Sequence, residues 1–93
     1  MDKQLVECFK ALGDPIRFRI YSRLKHGTVC ACEFLGELDL EISQPTLSFH
    51  LKKLSQCGLI NEEKDGIRKI FSVNHDVFEL MKHYWNQTTE EER

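Results

Sequence analysis

Long apolar segments and export signals are missing from this sequence. No apolar run is long enough to cross a bilayer, and the first residues lack the basic flank and apolar core of a secretory signal. These absences argue against a membrane role and predict a cytoplasmic protein. Its four cysteines are then expected to be reduced thiols, because disulfides are rare in a reducing compartment.

The local patterns of common enzyme sites are absent as well. The sequence has no glycine-rich phosphate loop, no nucleophile elbow of the G-x-S-x-G type, and no cysteine and histidine pair in an evident catalytic arrangement. We therefore expect a binding protein and not an enzyme.

Size and charge set further bounds. A chain of 93 residues buries little surface on folding, and domains this small often depend on a partner, a metal or crosslinks. We expect one domain over residues 1–93 that forms a homodimer. The net charge of -2 does not by itself indicate nucleic-acid binding.

Charge is nevertheless distributed unevenly. Acidic residues are absent from residues 43–58, which contain Lys52, Lys53 and the titratable His50. A basic face for nucleic acid and an ordinary solvated helix face both fit this pattern when it is taken alone. A second basic stretch comprises Arg17, Arg19, Arg23 and Lys25.

Capping residues and apolar spacing divide the chain into helices. Asp14 before Pro15 is a strong helix start, because the carboxylate accepts hydrogen bonds from the first amides and proline suits the first helical position. Ser43 is a similar N-cap, and leucines at helical spacing follow it. Helices are predicted over residues 3–12, 15–25, 33–38, 44–56 and 76–86, with residues 88–93 as a frayed tail.

A hairpin is predicted between the last two helices. Residues 59–63 and 68–73 read as strands on either side of residues 64–66, where Asp65 and Gly66 supply the positive backbone angles of a tight turn. The resulting order is helix, helix, short helix, helix, hairpin, helix. This is a winged helix-turn-helix, a mainly α fold with a small β-hairpin wing (α+β), in which a recognition helix enters the major groove.

Three segments of the chain follow one another in a characteristic order. They are residues 9–17 (FKALGDPIR), 29–33 (VCACE) and 43–52 (SQPTLSFHLK). With these segments the chain resembles the ArsR/SmtB family of metalloregulatory transcriptional repressors, and arsenical resistance operon repressors in particular, over residues 5–84. The resemblance implies a homodimeric bacterial repressor, joined through helices in residues 1–13 and 76–87, that leaves its operator when a toxic metal or metalloid binds.

Cys30 and Cys32 are the predicted metal ligands. Thiolates select soft ions, and trivalent arsenic prefers three sulfurs, whereas these residues supply two. Residues two apart in mid-helix point about 200° apart, so both reach one ion only at an irregular helix start. Leu35 occupies the place of a third cysteine found in some relatives. Cys8 is the candidate third ligand, although a core or dimer-face position is expected for it; the alternative for the pair is a role as buried hydrophobes.

The predicted DNA contacts are polar or basic side chains of the fourth helix and the hairpin. Their division into base and phosphate contacts is open, although the lysines and the arginine suit phosphates. The spacing from Cys32 to Ser43 is about two residues longer than is typical of the family. The residues are Gln44, Thr46, Ser48, His50, Lys52, Lys53, Arg68 and Lys69.

The sequence thus predicts a repressor of a metalloid resistance operon that binds double-stranded operator DNA. Arsenite, antimonite or another thiophilic ion would bind the cysteine thiolates and release the protein. A thiol redox or persulfide-responsive repressor of the same fold is the alternative. A further alternative is a dimeric protein-interaction domain that does not bind DNA.

Overall fold

The computed structural model describes residues 3–91, with side chains described up to residue 86. Within these residues the five helices and the hairpin follow one another in the predicted order, and a short strand and a 3₁₀ turn precede the third helix. The helices are α1 (Lys3–Ala11), α2 (Pro15–Leu24), α3 (Phe34–Glu37), α4 (Gln44–Gln56) and α5 (His75–Glu91). The strands are β1 (Val29–Cys30), β2 (Ile60–Asp65) and β3 (Arg68–Val73), and the 3₁₀ turn spans Ala31–Glu33.

The two predicted N-caps are confirmed. The Asp14 carboxylate accepts hydrogen bonds from the amides of Ile16 at 2.8 Å and Arg17 at 3.1 Å. Burial of this carboxyl raises its pKa, but the two backbone hydrogen bonds outweigh burial and leave the pKa below its ordinary value. At the start of α4, the Ser43 hydroxyl accepts from the amide of Thr46 at 3.3 Å. Both helices therefore begin where their side chains satisfy the free amides.

The three strands form one antiparallel sheet in the order β1-β3-β2. The hairpin turn lies one residue later than predicted, because Asp65 still pairs with Arg68 and the turn residues are Gly66 and Ile67. Gly66 has a φ of 65°, which is the backbone angle that favours glycine at this turn. The short β1 adds a third strand, since Cys30 pairs with Ile70 of β3.

The core lies between α4, the sheet and the remaining helices. Leu47, Leu51 and Leu54 are buried on one side of α4, as the leucine spacing predicts. They pack in a single cluster with Ile20 of α2 and Phe34 of α3, both with no exposed surface. Burial of each such side chain stabilises the fold by about 1.5–3 kcal/mol, and this packing fixes α4 relative to α2 and α3.

The connection from α3 to α4 begins with a turn that ends α3. Asp39 has a φ of 51°, and its amide donates to the carbonyl of Gly36. The amide of Leu40 donates to the carbonyl of Leu35 at 3.1 Å. These two bonds form a Schellman cap, which ends α3 with a residue in the left-handed region.

The last helix is longer than predicted. It continues to Glu91, so its predicted end at Asn86 is wrong, and residues 88–91 of the predicted frayed tail are helical. Residues 92 and 93 lie outside the described residues. Among the helices of the described chain, none has the length and apolar character needed to cross a membrane.

Candidate functional site

Cys30 and Cys32 bring their sulfurs together. The two Sγ atoms are 2.8 Å apart. Cys30 ends β1 and is 5% exposed, while Cys32 lies in the 3₁₀ turn with an exposed side chain. The change from strand to 3₁₀ turn between them is the irregular start that convergence requires, because two such residues within an α-helix would diverge. The pair can therefore present two sulfurs to one ion.

Arg68 joins the cysteines to the hairpin. Its Nε donates to the Cys30 Sγ at 3.5 Å, and its Nη2 lies 3.2 Å from the Glu33 Oε1. Strand register explains this contact: Cys30 faces Ile70, and Arg68 is two residues from Ile70 on the same face of β3. No local pattern indicates this contact, since 38 residues separate Arg68 from Cys30.

The hydrogen bonds make the two thiols unlike each other. The hydrogen bond with Cys32 and then that from Arg68 hold the pKa of Cys30 below its ordinary value. The same bond to Cys30 raises the pKa of Cys32. Donation to Cys30 in turn raises the pKa of Arg68. The arrangement favours a Cys30 thiolate beside a Cys32 thiol, and a thiolate is the form that attacks and ligates soft ions.

The third member of this cluster is Glu33. Among the described residues, the side chains that bring three potential ligand atoms within 4.8 Å of one another are Cys30, Cys32 and Glu33. Its carboxylate is a hard oxygen ligand that already pairs with Arg68. The cluster therefore offers two sulfurs and one oxygen as candidate ligand atoms.

Cys8 and Cys57 lie elsewhere in the fold. Cys8 has no exposed surface, and its Sγ donates to the carbonyl of Cys57 at 3.3 Å. The expected core position of Cys8 is confirmed, and the structure does not bring it into the cluster of Cys30. The Cys57 thiol donates to the carbonyl of Leu54, in agreement with a structural role at the end of α4.

One face of α4 is polar and exposed. It carries most of the side chains predicted to contact DNA, and Lys69 is exposed on the hairpin. Lys52 and Lys69 line a single cleft between α4 and the sheet, together with Ser48. The exposed predicted residues of α4 are Gln44, Thr46, Ser48, Lys52 and Lys53.

His50 does not belong to this face, and its predicted exposure is wrong. It is 7% exposed, and its Nδ1 lies 3.2 Å from Nη1 of Arg17. The leucine pattern contained the signal, because His50 follows Leu47 by three residues and so falls on the buried stripe of the helix. Its side chain joins α4 to α2 and is not available at the surface.

Phe49 is exposed in a position that sequence reasoning overlooked. It is 53% exposed, and the Lys53 Nζ lies 5.3 Å from the centre of its ring. Its separation from Thr46 by three residues and from Lys53 by four places it on the polar face. An aromatic ring therefore lies among the predicted DNA contacts.

The second basic stretch has structural partners. Arg17 donates from Nε to the carbonyl of Ala11 at 2.8 Å. Arg19 donates to the carbonyl of Leu38, and Arg23 pairs with Glu37. These arginines connect α2 to the end of α1 and to α3 and the residue after it.

Large apolar side chains remain exposed on the outer helices. Phe9 of α1 is 41% exposed, and Leu80 and Trp85 of α5 are 42% and 64% exposed. Phe18 of the adjoining α2 is 57% exposed. Phe9, Phe18 and Trp85 line one shared groove. Exposed apolar groups collected on one side of a small domain are typical of an interface with another protein.

Known proteins share this arrangement. The family described as a helix-turn-helix domain matches residues 12–63. An arsenical resistance operon repressor of Staphylococcus xylosus is 35% identical over 79 residues, which is 85% of this chain and 74% of the relative.

Solved structures agree on the fold. An ArsR family transcriptional regulator aligns with a TM-score of 0.85 and 24% identity, over 95% of this chain and 94% of its own. The homodimeric winged helix-turn-helix domain Mb0332 from Mycobacterium bovis aligns with a TM-score of 0.73 and 23% identity, over 94% and 80% of the two chains. The fold and its capped, polar-faced α4 define a winged helix-turn-helix domain.

The particular family follows from the sequence relatives. This chain belongs to the ArsR family of transcriptional repressors. The family resemblance and the predicted winged helix-turn-helix are thereby confirmed.

Proposed function

We propose that this repressor controls a metalloid resistance operon and leaves operator DNA when arsenite or antimonite binds Cys30 and Cys32. The observation that carries the proposal is the 2.8 Å separation of the two sulfurs on the turn that leads into α3. The similarity to an arsenical resistance operon repressor supports the same effector class.

Arsenite capture at this pair requires no oxidant. As(OH)₃ and two cysteine thiols form two As–S bonds and lose two water molecules, and one hydroxide stays on arsenic. Where Cys30 starts as the thiolate, one of the leaving groups departs as hydroxide. Arsenic remains trivalent and both sulfurs keep their oxidation state. Antimonite reacts by the same exchange.

The proposed assembly is a homodimer of one domain, residues 1–93, which acts on DNA in the cytoplasm. Helices within residues 1–13 and 76–87 form the interface, and the exposed Phe9, Leu80 and Trp85 support this assignment. Mb0332 is itself described as homodimeric. Two copies related by a twofold axis suit an inverted repeat with half-sites about one DNA turn apart.

DNA contact is assigned to the polar face of α4 and to the hairpin. Gln44, Thr46 and Ser48 are of a size to reach base edges, and Lys52, Lys53 and Lys69 suit phosphates. The lysines contribute most of the salt-dependent affinity. Residues 30–33, which carry both cysteines and are called the thiol turn below, lead directly into α3. Because α3 packs in the same core as α4, the proposed reading helix, rearrangement of the thiol turn around an ion shifts α4 and releases the DNA.

The test is fluorescence anisotropy of labelled promoter DNA with the reduced repressor, titrated with arsenite. Cys30→Ser and Cys32→Ser should retain DNA at arsenite concentrations that release the native protein. Cys57→Ser is the matched control, because it removes a thiol outside the cluster, and it should still be released. Retention of native protein on DNA throughout the titration would overturn the proposal.

A thiol redox switch is the second candidate, favoured by the same short distance between the sulfurs. Peroxide would oxidise the two thiols to a disulfide and be reduced to two water molecules. This candidate predicts release by peroxide in the absence of arsenite, and restoration of DNA binding by dithiothreitol. Release by arsenite under fully reducing conditions, with no response to peroxide, would exclude it.

A further inference from the structure

We propose that Arg68 is a positioning residue that fastens the hairpin to the thiol turn, and that arsenite weakens DNA binding by breaking this link. The inference rests on the proposed function, since it needs arsenite to occupy Cys30 and Cys32. Arg68 then couples arsenite binding to DNA affinity, whereas the sequence predicts a phosphate contact for it.

The geometry of the link connects the two parts that must communicate. One guanidinium contacts the Cys30 Sγ at 3.5 Å and the Glu33 Oε1 at 3.2 Å. Arg68 is also the first residue of β3, directly after the turn at the hairpin tip. The Arg68 side chain therefore joins the ligand site to the tip of the hairpin, in addition to the strand pairing of Cys30 with Ile70.

Ligand capture removes one of the two contacts. Once one electron pair of the Cys30 sulfur forms the bond to arsenic, the sulfur is a weaker acceptor for the Nε–H group of Arg68, which lies 3.5 Å away in the free protein. The remaining partner is Glu33, and this ion pair has 54% of each side chain exposed. Exposed ion pairs of this kind hold geometry weakly, so the start of β3 is held less firmly against the turn that carries Cys30, while its pairing with β2 remains.

Movement of β3 changes the surface that faces DNA. Lys69 follows Arg68 and points to the opposite face of the strand, where it lines the cleft that also contains Lys52 of α4. The position of β3 thus sets the spacing between basic groups on the hairpin and on the reading helix. If the lysine spacing fits the DNA phosphates while Arg68 contacts Cys30, it fits them less well once that contact is lost.

The experiment compares Arg68→Gln with Lys69→Gln, two adjacent substitutions that each remove one positive charge from β3. For each protein, the dissociation constant for promoter DNA is measured with and without saturating arsenite, and bound arsenic is measured after dialysis. The ratio of the two constants measures the coupling. DNA affinity is also followed over a range of salt concentrations.

For Arg68→Gln we expect arsenic to bind in the native amount, affinity without arsenite to fall, and the coupling ratio to fall about fivefold, the upper range for an exposed ion pair. Lys69→Gln should lower affinity and reduce the slope of log K against log salt by about 0.9, with an unchanged ratio. Glu33→Gln should lower the ratio less than Arg68→Gln does.

The opposite pattern identifies a phosphate contact. If Arg68→Gln behaves as Lys69→Gln does, with a smaller salt slope and the native coupling ratio, the inference is overturned while the proposed function stands. If arsenite fails to release the native protein, both fail. Arg68→Lys gives a second test that keeps the charge: a compact ammonium does not reproduce the planar fork, so the ratio should still fall.

Discussion

Arg17 and His50 connect the second helix to the reading helix through a contact of 3.2 Å between Nη1 and Nδ1. The same arginine donates from Nε to the carbonyl of Ala11, which ends the first helix. One guanidinium therefore joins three helices, and His50 is the partner that belongs to α4. His50, which the sequence predicts to contact DNA, instead helps to hold α4 against α2.

The first prediction concerns this buried histidine. His50→Ala removes the hydrogen bond to Arg17 and leaves a gap in the core, so the free energy of unfolding should fall by about 2 kcal/mol. Lys52→Ala, on the exposed face, should change it by less than about 0.5 kcal/mol. Urea unfolding followed by circular dichroism measures both. Native stability of His50→Ala combined with lost DNA affinity would instead favour a direct contact.

The second prediction concerns Tyr21, whose side chain is 5% exposed. Its hydroxyl has no hydrogen-bond partner among the described residues. Burial, followed by the nearby Cys8 and Cys57, raises the pKa of Tyr21 to about 12. Tyr21→Phe removes an unsatisfied polar atom and keeps the ring, so it should stabilise the protein by about 1 kcal/mol at neutral pH in urea unfolding.

The sign of the pH effect at Tyr21 can be worked out separately. A raised pKa in the folded state means that the unfolded chain loses its phenol proton first, near pH 10. The contribution of the neutral phenol is complete below that pH and is lost as pH rises towards about 12. Tyr21→Phe should lack this part of the alkaline loss of stability. Equal alkaline profiles for the two proteins would contradict the assignment.

The third prediction concerns the ionisation of Cys30. Because the hydrogen bond with Cys32 is the largest cause of its lowered pKa, Cys32→Ala should raise the pKa of Cys30. Thiolate absorbance at about 240 nm, measured against pH, should then show the low-pH transition of the native protein moved to higher pH. Cys57→Ala, which removes a thiol outside the cluster, serves as control and should leave that transition in place.

Local signals in the sequence were sufficient for most of the helices. Asp14 and Ser43 cap α2 and α4 because the interaction of an N-cap with the first turn needs only the next few residues. The buried leucines of α4 follow for the same reason, as does the hairpin, apart from a shift of one residue at Gly66. These features depend on short stretches of chain.

The candidate site was predicted only in part. The pairing of Cys30 with Cys32 is local and was expected, but the contact with Arg68 depends on the register of β1 against β3. A pattern of single side chains does not determine that register. His50 differs from its prediction for another reason: it lies on the leucine stripe of α4, and its contact with Arg17 provides a polar partner for the buried ring.

The antiparallel pairing of β1 with β3 places Cys30 beside a strand that is synthesised about forty residues later. During translation, the C-x-C segment leaves the ribosome without its guanidinium neighbour and without a strand to lie against. The hydrogen bond between the two sulfurs needs only the segment itself, whereas the share of their difference that comes from Arg68 waits for β3. The thiol pair therefore reaches its final state only when the last strand of the sheet is in place.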